Sequence, residues 1–204
     1  MPGLSDVQAG RIDEYLLAVY AMLTTAGELV PFQVDADDDH RDLVVAVKGK
    51  STFASLQAKA CFSLGESGFV QSNATYSANT IPSDPSWIYV IVFVRDLAPV
   101  VWWIVPAPDF NRLTSRAPAR GGRRVELHFR AYPDREDTFS SFRCATREVG
   151  PRLLALINAL PPGTKPQPGA RLVVAAPPHS WGGGLKGRRG RRATRPGLPP
   201  QVRP

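Results

Sequence analysis

Asp42, Gln57 and Lys59 are the residues of this chain whose types and spacing suit chemistry. They fall in DLVVAVKGKSTFASLQAKA, residues 42–60, which reads as two short strands joined by a tight turn. In the second strand Ser55, Gln57 and Lys59 alternate with Ala54, Leu56, Ala58 and Ala60, so the three polar groups share one face. Asp42 stands at the mouth of the first strand. Two readings are open: a plain solvated face, or an acid, an amide and an ammonium converging on a metal. A hard divalent cation such as Mg²⁺ takes oxygen ligands and keeps several waters. The Asp42 carboxylate, the Gln57 amide oxygen and the Ala58 carbonyl would supply them from neighbouring strands. Lys59, on the face of Gln57, would steady an attacking water or a scissile phosphate. Such a set suits metal-assisted phosphodiester hydrolysis.

The surrounding elements must position these groups. Ser5 and Gln8 have the spacing of a capping box, and Ile12, Leu16, Val19, Tyr20 and Leu23 recur at helical spacing up to Gly27. The pattern predicts an amphipathic helix over about residues 7–26. Leu29 to Val34 reads as a strand despite Pro31, DADDDH as a loop, and Leu43 to Val47 as a strand buried on both faces. KGKS is the turn and Phe53 to Cys61 the partner strand. Residues 63–86 are polar and loop-like, with at most a short strand near Phe69 to Gln71. Strands follow at Trp87 to Val94, Val100 to Val105 and Val125 to Tyr132, with a short helix or turn at Pro106 to Leu113. A second amphipathic helix runs from Arg147 to Leu160 and stops at Pro161-Pro162.

The chain has 204 residues, 43% hydrophobic and 21% charged, which suits one globular domain with its own core. No apolar run approaches the roughly 20 residues that cross a bilayer. MPGLSDVQAGRIDE lacks the basic start and apolar centre of a signal peptide, so a cytoplasmic protein with reduced cysteines is expected. Cys61, Cys144 and the three histidines are scattered, which argues against a zinc site and against a Cys/His or Ser/His/Asp catalytic set. The net charge of +7 is uneven. Residues 1–148 hold 15 Lys and Arg against all 18 acids, a net of −3, and residues 149–204 hold ten basic residues and no acid. Residues 161–204 include ten Pro and eight Gly, too many for a packed core, although Leu172 to Ala176 could order locally. We therefore expect a folded domain over residues 1–160 and a disordered basic tail over 161–204. Lys186, Arg188, Arg189, Arg191, Arg192 and Arg195 in that tail are candidate nucleic-acid contacts.

Asp42, fourteen residues, then Gln57-Ala-Lys59 resembles the signature of the PD-(D/E)XK nuclease superfamily in its Gln-x-Lys form. "GRIDEYLLAVYAMLTTAG" is similar to that family's first helix, with Gly10, Glu14, Leu23 and Gly27 at its marked positions. "RDLVVAV" resembles the strand carrying the metal-binding acid, and "WIYVIVFVRDLAPVVWWIVPAPDF" the paired strands that follow. The match covers about residues 10–110. It implies an α/β restriction-endonuclease-like core, a mixed central sheet flanked by helices in αβββαβ order. It also implies an Mg²⁺- or Mn²⁺-dependent nuclease acting on DNA. Asp42 and Gln57 would hold the metal with the Ala58 carbonyl, Lys59 would serve the nucleophile or transition state, and Glu14 would assist. On the helical wheel Glu14 lies opposite the apolar stripe. It faces water if the stripe meets the sheet, or the cleft if the small-residue face around Ala18 and Ala21 does. Gln57 stands where the fuller motif has an acid, which keeps open the alternative of a catalytically degenerate nucleic-acid-binding protein on the same fold. The resemblance also allows a homodimer, although no residue marks an interface.

Asp37, Asp38, Asp39 and His40 read as a solvated loop. Trp102 and Trp103 point to opposite faces of one strand, so one is expected in the core and the other partly exposed, where it could stack on a base. Gly121-Gly-Arg-Arg124 precedes no helix and is no phosphate loop.

Overall fold

The computed structural model describes residues 5–34, 41–119, 122–166 and 172–173. The loop with Asp37, Asp38, Asp39 and His40 lies outside them, as does the arm with Lys186, Arg188, Arg189, Arg191, Arg192 and Arg195.

Helix α1 (Asp6–Leu23) opens on the expected capping box. The Ser5 hydroxyl oxygen accepts from the Gln8 N–H at 3.3 Å and Gln8 Oε1 accepts from the Ser5 N–H at 2.9 Å. Ten strands and two further helices follow: β1 (Leu29–Val34), β2 (Leu43–Val47), β3 (Phe53–Cys61), β4 (Val70–Ser77), β5 (Trp87–Arg95), β6 (Ala98–Pro106), α2 (Ala107–Leu113), β7 (Ser115–Pro118), β8 (Arg124–Ala131), β9 (Arg143–Cys144), α3 (Val149–Ala159) and β10 (Leu172–Val173). The architecture is mixed α/β. A seven-stranded sheet has the order β10-β1-β2-β3-β5-β6-β9, and a three-stranded sheet the order β4-β8-β7. The large sheet is mixed because β3 and β5 are parallel while its other neighbours are antiparallel. The connection from β3 to β5 runs through β4 of the small sheet.

Two cores lie on the two faces of the large sheet. Leu43, Val45, Leu56, Ala58, Ile88, Val90, Val92 and Trp102 pack against Leu17 and Ala21 of α1 and Leu153 and Ile157 of α3. Trp87, Tyr89, Ile91, Phe93 and Trp103 pack against Tyr76, Leu127 and Phe129 of the small sheet and Phe110 of α2. The near-continuous apolar run of β5, buried at every position but its last, is what a strand covered on both faces requires. Gly150 allows α3 to approach α1. Its N–H donates to Thr24 Oγ1 at 2.9 Å, and a Cβ there would collide with that same oxygen.

One open alternative is resolved and two expectations are corrected. The stripe of α1 that meets the sheet is Asp13, Leu17 and Ala21, whereas Val19 is 44% and Leu23 70% exposed. Leu16 and Tyr20 of the apolar stripe flank that contact and pack against the same core, so of the two wheel alternatives the small-residue face with Ala21 is the one against the sheet. Residues 63–86 contain a full eight-residue strand, β4, in place of at most a short one. Its inward residues include Ser72 and Ala74, too small and polar to give a strong alternation. Trp102 and Trp103 are both fully buried, because the small sheet and α2 cover the face that was expected to be open. Trp102 meets Tyr20 edge-on at 5.9 Å and Trp103 meets Phe129 at 5.5 Å, which removes either ring from base stacking.

Candidate active site

The site forms where β3 outruns β2. The β2–β3 ladder ends with Leu43 opposite Leu56, after which the Asp42 N–H donates to the Leu56 carbonyl at 3.0 Å. From Gln57 to Cys61 β3 keeps its parallel partner β5, but on the other side it has no strand partner among the described residues. Alternate amides along that open edge would be orphaned, which is costly for buried backbone. Two carboxylates take them. Asp42 Oδ2 accepts from the Ala58 N–H at 2.7 Å, and Asp13 Oδ2 from the Ala60 N–H at 2.9 Å. Asp13 Oδ1 also accepts from the Glu14 N–H at 2.8 Å, so both its oxygens are engaged.

This arrangement brings Asp42, Ala58 and Lys59 together, with α1 supplying Asp13 and Glu14. The rotation of α1 decides between the two wheel readings of Glu14: its side chain is 15% exposed and accepts from Arg11 Nη1 at 2.8 Å. Asp13, only 4% exposed, is a residue that sequence reasoning missed. The available signal was its position four residues before Leu17 and eight before Ala21, in line with the small-residue face.

Burial is the largest influence on both acids. It pushes Asp13 up to about 6 and Asp42 up to about 7, against hydrogen bonds from Ala60 and Ala58 and the Lys59 ammonium, which pull the other way. Asp13 and Glu14 push Asp42 further up by repulsion. Two buried carboxyls, Asp13 and Asp42, thus lie near one ammonium and a third carboxyl, Glu14, with burial opposing the ionised form of the two buried acids. Cys61 lies next along β3, and burial pushes its thiol up to about 12, which rules it out as a thiolate nucleophile at neutral pH.

Gln57 sits on the same strand but its amide oxygen is turned from the expected direction. Gln57 Oε1 accepts a hydrogen bond from the Tyr76 hydroxyl of β4, whose oxygen in turn accepts from the Tyr89 hydroxyl at 2.9 Å. Arg41, beside Asp42, is buried with its guanidinium 5.8 Å from the Trp87 ring centre. A separate surface cavity of about 370 Å³ is lined by Phe62, Val94, Arg95, Asp96 and Leu97, and contains none of these groups.

The donors offered by Asp42, Asp13, Glu14 and the Ala58 carbonyl are oxygens, which suits a hard divalent cation. No group of three or more His, Cys, Asp and Glu side chains among the described residues is arranged to hold a metal. Mg²⁺ does not require one, since it binds through one or two carboxylates and keeps its waters. A cation bound nearby would favour the ionised form of both buried acids.

No family model matches the chain, and no curated protein sequence does. Among solved structures the chain is similar in fold to an endonuclease. That structure is a bacterial homing endonuclease, I-Ssp6803I, matched at 15% identity with a TM-score of 0.50 over 74% of this chain and 91% of that one. The likeness is one of fold. No helix among the described residues is long and apolar enough to cross a membrane.

Proposed function

We propose that this chain is a divalent-metal-dependent endonuclease that hydrolyses DNA phosphodiester bonds. The observation that carries the reading is the pairing of Asp42 with the open edge of β3, which sets its carboxylate against Ala58 and beside Lys59 on a nuclease-like fold. Asp42 would hold Mg²⁺ or Mn²⁺, with the Ala58 carbonyl on the same strand edge as the clamped Ala58 N–H. When bound, the ion supplies Lewis-acid activation of the phosphate and of water. The chain's own groups do the rest. Asp42 keeps one oxygen on the Ala58 amide, which fixes the carboxylate plane. The Lys59 ammonium neutralises charge that develops on the phosphoryl oxygens. Glu14, on α1 and paired to Arg11, would accept a proton from water. Lys186, Arg188, Arg189, Arg191, Arg192 and Arg195 would add sequence-independent affinity for the phosphate backbone.

A second reading, a nucleic-acid-binding protein without catalysis, is favoured by the Gln57 geometry. The residue that replaces the motif's second acid has turned its oxygen towards a tyrosine.

Cleavage of supercoiled plasmid in Mg²⁺ or Mn²⁺ separates the two. The endonuclease reading expects nicking by the wild type, collapse in Asp42→Asn and in Lys59→Ala, and retained folding in both. Wild-type protein that binds DNA but leaves it intact at millimolar metal returns the chain to the binding reading.

A further inference from the structure

Gln57 is 3% exposed, and its amide has two chemically opposite ends. The direction of the hydrogen-bond chain decides which end faces where. The Tyr89 hydroxyl donates to the Tyr76 oxygen at 2.9 Å, and the Tyr76 hydroxyl donates to Gln57 Oε1. Tyr76 and Tyr89 are each 2% exposed and belong to the core between the two sheets, with the Tyr89 ring stacked on Phe110 at 3.8 Å. The carbonyl end of Gln57 is therefore anchored to a rigid apolar layer. Its NH₂ end is turned away from the tyrosines and has no hydrogen-bond partner among the described residues. Unlike the Trp87 and Trp103 indole nitrogens, this nitrogen is not among the sealed, unpartnered atoms of the described residues, so it stays open to an incoming acceptor.

Continuing the β2–β3 register past Leu43 and Leu56 sets Gln57 across from Asp42, so the two side chains and that of Lys59 share one face of the sheet. An NH₂ group has no lone pair to offer a cation; it is a donor, and its complement is an anionic oxygen. We propose that Gln57 binds a phosphate oxygen of the DNA backbone through its amide NH₂, and is not a metal ligand. Tyr76 and Tyr89 act as positioning residues that hold the amide in that orientation. The assignment rests on the endonuclease reading for its choice of anion. It differs from what the Gln-x-Lys resemblance implies, in which Gln57 shares the metal with Asp42.

The test uses the full chain with two probes: Mn²⁺ alone, followed by paramagnetic resonance titration, and a short fluorescent DNA duplex, followed by anisotropy in chelator. Gln57→Ala should weaken duplex affinity about tenfold, the scale of one hydrogen bond to a charged group, while Mn²⁺ affinity stays within about twofold of wild type. Gln57→Glu keeps the size and the acceptor for Tyr76 but replaces NH₂ with an oxygen. It should weaken duplex binding by repulsion and tighten Mn²⁺, and it serves as the folded control should Gln57→Ala be unstable. Tyr76→Phe should give the Gln57→Ala phenotype in part, with Mn²⁺ binding tightened because the freed amide can turn its oxygen inward. A Gln57→Ala protein that loses Mn²⁺ affinity with duplex affinity unchanged overturns the assignment. A Tyr76→Phe protein altered only in melting temperature removes the positioning role. Wild-type protein that takes no Mn²⁺ ends the endonuclease reading, but the duplex arm still decides the role of Gln57: unchanged duplex affinity in both Gln57 variants sinks it, and weakened affinity supports it.

Discussion

Asp42 and Asp13 reach β3 from different elements and accept from alternate amides of its open edge, Ala58 at 2.7 Å and Ala60 at 2.9 Å, with Lys59 between them. The pair replaces the strand that β2 fails to supply. It also concentrates acid where burial disfavours it, so the same two residues stabilise the edge by hydrogen bonding and strain the site by charge.

That conflict sets a pH dependence. With unfolded values near 3.8 and folded values of about 6 for Asp13 and about 7 for Asp42, the folded chain binds protons that the unfolded chain has already lost. Stability from these groups is therefore greatest below pH 4, falls as pH rises through the window from about 4 to about 7, and is level above it. Asp42→Asn keeps an acceptor for the Ala58 amide and removes the charge. It should flatten much of the slope and raise the melting temperature at pH 8 in chelator. Urea and thermal melts of the two proteins across this range are the check, and coincident profiles would refute the electrostatic account.

The orientation of α1 is testable by stability alone. Leu17 is fully buried between α1 and the large sheet, so Leu17→Ala should cost about 2–5 kcal/mol. Leu23 is 70% exposed, so Leu23→Ala should stay within about 0.5 kcal/mol. The reverse order would turn Asp13 and Glu14 away from β3.

The two substitutions also mark where the sequence was and was not legible. The strands of the large sheet from β1 to β6 carry long apolar or alternating runs, and their limits match the expected ones to within two residues at each end, as at β2 and β3. Asp42, Ala58 and Lys59 could be located because a two-residue period and a tight turn fix their side of the strand. Asp13 could not, since hydrophobic periodicity treats a buried carboxylate as an error, and only the open edge of β3 gives it a purpose. The turn of the Gln57 amide depends on Tyr76, nineteen residues on in a strand too polar to be recognised in full.

The basic arm carries its own expectation. Lys186 to Arg203 includes seven basic residues and no acid. Were all seven to neutralise duplex phosphates, log affinity would fall with log salt at a slope of about −6, and fewer contacts would give a shallower line. Removing residues 181–204 should flatten that slope and weaken binding at low salt, with the melting temperature unchanged. The same slope with and without the arm would place phosphate binding on the folded part of the chain.

Asp13 offers the most local test of how the edge is built. Both of its oxygens are engaged, one by Ala60 of β3 and one by Glu14 of its own helix, so it ties α1 to the strand immediately after Lys59. Asp13→Ala leaves the Ala60 N–H without its acceptor and lets the end of β3 open. Amide hydrogen exchange at Ala60 should accelerate sharply, whereas exchange at Ala58, held by Asp42, should change little. Asp13→Asn retains a carbonyl oxygen for Ala60 and should restore slow exchange there. Because Lys59 lies between the two clamped amides, DNA cleavage should follow Ala60 protection: low in Asp13→Ala and recovered in Asp13→Asn. Cleavage lost equally in both variants, with Ala60 protected in Asp13→Asn, would instead mean that the Asp13 charge itself takes part, and the clamp would not be its principal role.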